Sequence, residues 1–458
     1  MIKRNLYFIV FIFLILLVFL ASLIPIRLYH WWDETSYLQN AEVIFSERDN
    51  YDEFSFRPPL LSIIIALGFY IWHSTIFASI LVAIICMAAP VFIFLAAKKM
   101  YGLQVGFIAS LLLALTNFFI YNSNSIMTDI PALSLLSISF YLTLLNNRQK
   151  ALFFSGLTLG LATLMKFTSL VLVPVFVFSL FYRKFAKKEI YSFVLGCTMV
   201  MLPYFIWSQL RYGNFLYTII LGSAMVTDFN ESHFFYFKEI FEVFGLVVTG
   251  GFLTFVCFYV YNFYFNKNKN IKEDLILLCW LFFFLSYISV TPHKETRYFA
   301  PLLFPLLILS AKGIVEFLEL FGKKIRKIIF VLIVFYLLLN IAPTFYYRLG
   351  ASKILDKTES AEVKISSYIA EGLNYSGVLY VNTHWPVFAY YSGAKIKILY
   401  PYDERFYLNF PNNMPEPGLI IILKKERHPS VDWINEKENF VFLKEIEGAL
   451  IYNYSVSF

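Results

Sequence analysis

LYFIVFIFLILLVFLASLIPI (Leu6–Ile26) and, just beyond it, WWDETSY (Trp31–Tyr37) decide the fold. The first run has no charged side chain and reaches the roughly 20 residues that a membrane-crossing helix needs. It follows Lys3 and Arg4 and lacks a small-residue cleavage site, so it reads as an uncleaved first span rather than a signal peptide. The second run sets two carboxylates, Asp33 and Glu34, directly after that span. Further apolar runs lie near 76–97, 103–120, 128–145, 151–166, 168–182, 190–210, 241–265, 274–290, 298–314 and 327–346. The expectation is an α-helical polytopic membrane protein with about eleven transmembrane helices.

Composition agrees. Of the 458 residues 59% are hydrophobic and 15% charged, against about a quarter charged in a soluble domain. Such a chain could not cover its own surface in water, which excludes soluble globular and disordered classes. The four cysteines, Cys86, Cys197, Cys257 and Cys279, each sit inside an apolar run, as buried thiols do and as a disulfide framework or zinc site would not.

The segment Pro58–Trp72 fixes the orientation. It is apolar but short and opens on two prolines. Read as a surface or re-entrant helix on the outer side, it leaves Lys3/Arg4, Lys98/Lys99, Arg148/Lys150, Arg183/Lys184/Lys187/Lys188, Lys267/Lys269/Lys272 and Lys312/Lys323/Lys324/Arg326/Lys327 all on one side. That is the cytoplasmic side by the positive-inside rule. The N-terminus is then cytoplasmic and the C-terminus outside. The formal charge of +7 is a topological anchor, and no nucleic-acid partner is implied. The domains expected are a membrane part over 1–347, with an external loop over 27–75, and a small extracytoplasmic α/β domain over 348–458. In the latter, Ser360–Glu371 reads as a capped helix. Val378–Val381, Ile396–Leu399, Leu419–Leu423 and Phe440–Leu443 read as strands.

Ionisable groups are costly at a membrane, and the outer ends of the spans collect them. They are Asp33 and Glu34, Arg57, Asp129 within Asn122–Pro131, Lys166 between two apolar runs, the loop 211–240 (Arg211, Asp228, Glu231, His233, Lys238), and His293-Lys294-Glu295-Thr296-Arg297-Tyr298. Each has a plain explanation. Asp129 caps a helix, Lys166 snorkels, and the Asp33–Glu34 pair is solvated. As a set they suit a substrate that joins a phosphate to a lipid tail. Cations offset the phosphate charge, and a carboxylate beside an acceptor hydroxyl can act as general base. There is no Walker loop, G-x-G-x-x-G, G-x-S-x-G or H-E-x-x-H element, so the donor itself supplies the energy and no cofactor is required. A divalent cation shared by Asp33, Glu34 and Asp129 is compatible with the residue types, though no spacing demands one.

The motifs resemble those of the GT-C glycosyltransferases, in the branch of protein O-mannosyltransferases and lipid A aminoarabinose transferases. Asp33-Glu34 with Tyr37 resembles that family's catalytic first loop, and Phe56-Arg57-Pro58-Pro59-Leu60 its R-P-P-L segment. Met127–Pro131 resembles its second acidic motif. Gly156 to Lys166-Phe167-Thr168 resembles its G-L-x-x-G-L-A-x-x-x-K-[FY]-[TS] signature, and Trp207 to Asn214 its R-x-x-G-N element. His293, Glu295, Arg297, Tyr298 and Pro301 resemble its H-x-E-x-R-Y-x-x-P segment, and Tyr390-Tyr391-Ser392-Gly393 is similar to part of its tail domains. The matches run in family order over 31–301.

The resemblance implies an inverting transferase of the plasma membrane. It would move a sugar from a polyprenyl-phosphate donor to a lipid, glycan or protein acceptor on the outer face. Asp33 would be the base and Glu34 its assistant, with Asp129 shaping the pocket. Arg57, Lys166, His293, Lys294, Arg297 and Tyr298 would hold the donor phosphate. Sub-branches carry different external domains, so the acceptor is not transferable. A transporter or flippase of lipid-linked sugars would use a similar charged cavity. It should show inverted repeats or broken helices near the membrane midplane; the sequence has no internal repeat and its charges sit at span ends, which disfavours that reading.

Overall fold

A computed structural model of the chain describes Phe19 and residues 30–123, 125–145, 148–224, 231–265, 271–353, 360–399, 414, 416–423, 434 and 438–455. The first apolar run, Leu6–Ile26, and Asp228 lie outside the described residues, Phe19 excepted. The chain divides into two compact units. One comprises residues 1–25, 54–61 and 74–350; the other comprises 26–53, 62–73 and 351–458.

Among its described residues, the regular secondary structure of the first unit is all helical. Six of its helices are long and apolar enough to cross a membrane: Thr75–Tyr101, Lys187–Tyr212, Phe235–Tyr264, Ile271–Val290, Thr296–Glu319 and Lys323–Pro343. Leu103–Ala114, Asp129–Leu142 and Phe167–Tyr182 are shorter apolar helices, and Arg148–Met165 has 18 residues. The run expected over 103–120 is interrupted. Its helix stops at Ala114, and the Thr116 hydroxyl caps a new one by accepting from Phe119 N at 3.2 Å. Leu60–Phe69 has 10 residues, or about 15 Å of rise, half of a bilayer core. It is a helix too short to span, as the sequence suggests.

Thr296–Glu319 is the central helix, with 89% of its apolar window buried, against 11% for Lys323–Pro343. Around Phe304 a knot of aromatics forms. Trp280 stacks on it at 5.0 Å and Phe140 meets it edge-on at 5.0 Å, with Phe176 packed on both partners. Two helix crossings are made by glycine. A Cβ on Gly156 would collide with the carbonyl of Phe193, and one on Gly196 with that of Phe153, so Arg148–Met165 and Lys187–Tyr212 touch backbone to backbone. Gly251 and Gly313 do the same for Phe235–Tyr264 and the central helix. Small residues at close crossings are the usual means of helix association in lipid. The outward faces carry Leu195, Met199, Leu202, Ile206 and Leu210, all exposed, a surface suited to lipid. All four cysteines are free thiols.

The second unit joins the helix Trp32–Ser46 to a five-stranded sheet. The strands are β1 (Val378–Val381), β2 (Lys395–Ile398), β3 (Gly418–Leu423), β4 (Phe440–Ile446) and β5 (Ala449–Tyr454), in the order β2-β1-β3-β5-β4. β1 pairs in parallel with β2 and β3, and the β3-β5-β4 side is antiparallel. Alternate residues feed two cores. Leu379, Val381, Leu419 and Ile421 face Ile365, Ile369 and Phe388, while Val378, Tyr380, Ile420 and Ile422 face Tyr452 and Tyr454. Ser360 caps Ala361–Ser367, its hydroxyl accepting from Val363 N. The unit differs from the tail expected over 348–458. Lys323–Lys353 runs past that boundary, and residues 26–53 and 62–73 belong to the unit as well.

Candidate functional site

In the helical unit, the motif residues converge. Asp129 opens the helix Asp129–Leu142, where a carboxylate complements the helix dipole. It is 2% exposed and ion-paired with Lys166, as a buried carboxylate must be. Lys166 takes an extended conformation where the helix ending at Met165 gives way to the 3₁₀ turn Phe167–Leu172. Its ammonium lies 4.7 Å above the Tyr298 ring, close enough for a cation–π attraction. The Arg297 guanidinium stands 5.7 Å from the same ring, and the His293 imidazole meets it edge-on at 5.9 Å.

Glu295 ties this group together, and the sequence reading did not assign it to the site. Its oxygens lie 2.5 Å from Arg297 Nε, 2.7 Å from an Arg297 terminal nitrogen and 2.8 Å from His293 Nε2. Glu295 is extended (φ −136°, ψ 147°). In extended chain, alternate side chains share a side, so His293 and Glu295 meet. The i, i+2 spacing of the H-x-E-x-R motif was the available signal. Lys294 falls on the other side. It is 3% exposed, and its ammonium donates to the carbonyls of Glu231 at 3.1 Å and Thr291 at 2.6 Å. The structure thus brings Asp129, Lys166, His293, Arg297 and Tyr298 together and leaves Lys294 bracing a loop.

Arg57 belongs to the same unit, with its guanidinium 5.5 Å from the Phe56 ring. Its segment is seated by Leu60, which packs with Phe167 and Trp207 on Leu164, Met201 and Tyr204. Phe167 is the residue after Lys166, so the chain segments that carry the two cations meet on one apolar cluster.

In the second unit, Asp33 and Glu34 occupy the first turn of Trp32–Ser46. They have different tasks. Glu34 is buried and its Oε2 accepts from Trp31 N at 3.1 Å, closing the helix start from position N3. Asp33 is half-buried beside it. Among the described residues, no group of three or more His, Cys, Asp or Glu side chains stands at metal-ligand spacing.

Residues 56–207 match the family model of dolichyl-phosphate-mannose-protein mannosyltransferases. Over 238 residues the chain is 26% identical to the alpha-1,2-mannosyltransferase ALG9 of Arabidopsis thaliana, covering 50% of this chain and 40% of that one. Over 99 residues it is 34% identical to the undecaprenyl phosphate-alpha-4-amino-4-deoxy-L-arabinose arabinosyl transferase of Wigglesworthia glossinidia brevipalpis, covering 22% and 17%. The chain therefore spans less than half the length of these curated relatives.

The fold matches that of ArnT from Cupriavidus metallidurans bound to undecaprenyl phosphate, with a TM-score of 0.69, 13% identity and 98% of both chains covered. It also matches the oligosaccharyltransferase AglB of Archaeoglobus fulgidus, with a TM-score of 0.59, 13% identity and coverage of 84% and 64%. The chain thus shares the fold of these two glycosyltransferase structures, and its residues 56–207 are similar to the dolichyl-phosphate-mannose-protein mannosyltransferase family.

Proposed function

We propose that the protein is a membrane glycosyltransferase that takes a sugar from a polyprenyl-phosphate donor and passes it, with inversion, to an acceptor hydroxyl at the outer face. The observation that carries this reading is the joined group Asp129, Lys166, Arg297, His293 and Tyr298 in the membrane-embedded unit. The undecaprenyl phosphate of the ArnT structure supports it at the level of fold.

In this reaction Asp33 takes the proton of the acceptor hydroxyl. The oxygen attacks the anomeric carbon from the side opposite the phosphate, and the bond from that carbon to the phosphate oxygen breaks. The donor phosphodiester carries one negative charge and the departing monoester gains another. Arg57, Lys166 and Arg297 therefore bind the transition state better than the substrate, which is the condition for raising the rate. Tyr298, with His293 against its edge, holds Lys166 and Arg297 in place. Asp129 keeps Lys166 oriented and limits how strongly the site grips the free carrier. Glu34 sets the turn that presents Asp33. No cofactor is required in this reading. EDTA should leave transfer intact, and a loss restored by Mg²⁺ or Mn²⁺ would bring a divalent cation into the mechanism.

The test is a cell strain in which Asp33→Asn is the only copy, read by mass spectrometry of glycolipids and glycoproteins. The glycan made by the natural protein should disappear while the variant is expressed and membrane-inserted at normal level. Unchanged product would remove Asp33 as the base.

A further inference from the structure

The turn that carries Asp33 is held by the C-terminal part of its own unit. The amide of His30 donates to the Tyr391 hydroxyl at 2.8 Å, across 361 positions of sequence. The His384 imidazole packs against both tryptophans that precede Asp33, at 5.2 Å from the Trp31 ring and 4.9 Å from the Trp32 ring. Trp385 meets Trp32 edge-on at 4.8 Å and donates from Nε1 to Glu53 at 3.0 Å. Asn50 closes the far side, donating to the Ala389 carbonyl at 3.1 Å and accepting from Ile396 N at 3.1 Å.

His384 is itself specially fixed. Its φ of 54° is left-handed, a conformation that a non-glycine residue keeps only where its surroundings impose it. Its Nδ1 lies 2.9 Å from Glu362, a fully buried carboxylate in the helix capped by Ser360. A continuous path thus runs from Glu362 through His384 and the two indoles to the first turn of Trp32–Ser46.

We propose that His384, ordered by Glu362, and Tyr391 are positioning residues for Asp33. The sheet domain is the mount that fixes the base-bearing turn. The catalytic half of this statement rests on Asp33 being the base.

Tyr391→Phe removes only the hydroxyl that receives the His30 amide. In the purified full-length protein it should speed amide hydrogen exchange over residues 30–36 about fivefold, the equivalent of one lost hydrogen bond. Exchange in the β3 and β5 strands should stay unchanged. His384→Ala should do the same more strongly, and His384→Phe, which keeps a ring between the indoles, should restore much of the protection. In cells carrying each variant as the only copy, the product glycan should fall in the same order.

Unaltered exchange over 30–36 in both Tyr391→Phe and His384→Ala overturns the proposal, as does faster exchange with full product. Loosening of β3 and β5 together with 30–36 would show a general fold defect and also overturns it. Asp33→Asn separates the two readings. Full product there removes the base and with it the catalytic half, while the exchange data alone decide whether the domain holds the turn.

Discussion

Lys166 and Lys294 are both lysines of the expected phosphate group, yet their surroundings give them different work. Lys166 neutralises a carboxylate that is 2% exposed. Removing one partner of a buried pair leaves an uncompensated charge and costs about 3–5 kcal/mol. Lys166→Met alone should therefore lower the thermal midpoint of the detergent-purified protein sharply. Adding Asp129→Asn should recover most of that loss but leave donor-phospholipid binding weak, because the phosphate has still lost its cation. Recovery of binding in the double variant would show that Lys166 serves Asp129 only.

Lys294→Met, by contrast, deprives two carbonyls of a donor. It should cost about 1–3 kcal/mol of stability with donor binding intact. A binding loss equal to that of Lys166→Met would restore Lys294 to the phosphate site. The sequence places both lysines at outer span ends, and that much is legible from charge and periodicity. Which way a side chain turns within H-K-E-x-R-Y depends on the backbone of Glu295, which no composition argument reaches.

At the scale of elements, the crossing of Arg148–Met165 with Lys187–Tyr212 depends on Gly156 and Gly196, each facing the other helix's backbone. Gly156→Ala must push the helices apart. We expect a loss of about 1–3 kcal/mol, seen as a lowered thermal midpoint, since the obstacle is a main-chain carbonyl that cannot swing aside. In the sheet domain, burial tends to raise the Glu362 carboxyl, but the His384 pair and backbone donors outweigh it and hold it down at about 2, from an ordinary 4.5. A carboxyl lowered on folding gives stability that is whole above pH 4.5 and drains away as pH falls toward 2. Hydrogen exchange over the described tail residues, corrected for intrinsic rate, should rise in that window, and Glu362→Gln should flatten the rise.

Four of the five strands were legible as short apolar runs between turn residues. β5 was not, because Glu447-Gly448 lacks the Asn or Asp that usually marks a two-residue hairpin. Both residues nevertheless take positive φ, 49° and 80°, as a type I′ turn requires.

For the whole molecule, the composition of the second unit constrains the path through the membrane. Residues 30–53 and 360–455 fold into one body; a body that lies on one face of the bilayer requires an even number of crossings between its two segments. We expect the six long helices together with Leu103–Ala114, Asp129–Leu142, Arg148–Met165 and Phe167–Tyr182 to be those crossings. Counting Leu60–Phe69 as well would make the number odd. On that reading we expect Lys98 and Lys187 on the face opposite Asn214, Ser232 and Glu447, and the basic clusters predict that the lysine face is the cytoplasmic one.

Lys294, being buried, cannot report this, whereas those five positions are all exposed. In a background with the four native cysteines replaced, single cysteines at Asn214, Ser232 and Glu447 should react with a membrane-impermeant maleimide on intact cells. Cysteines at Lys98 and Lys187 should react only after permeabilisation. Labelling of Lys98 and Ser232 from the same side would break the parity. Labelling of all five in the reverse sense would keep the fold but turn the Asp33 helix toward the cytoplasm, and with it the side on which the acceptor is met.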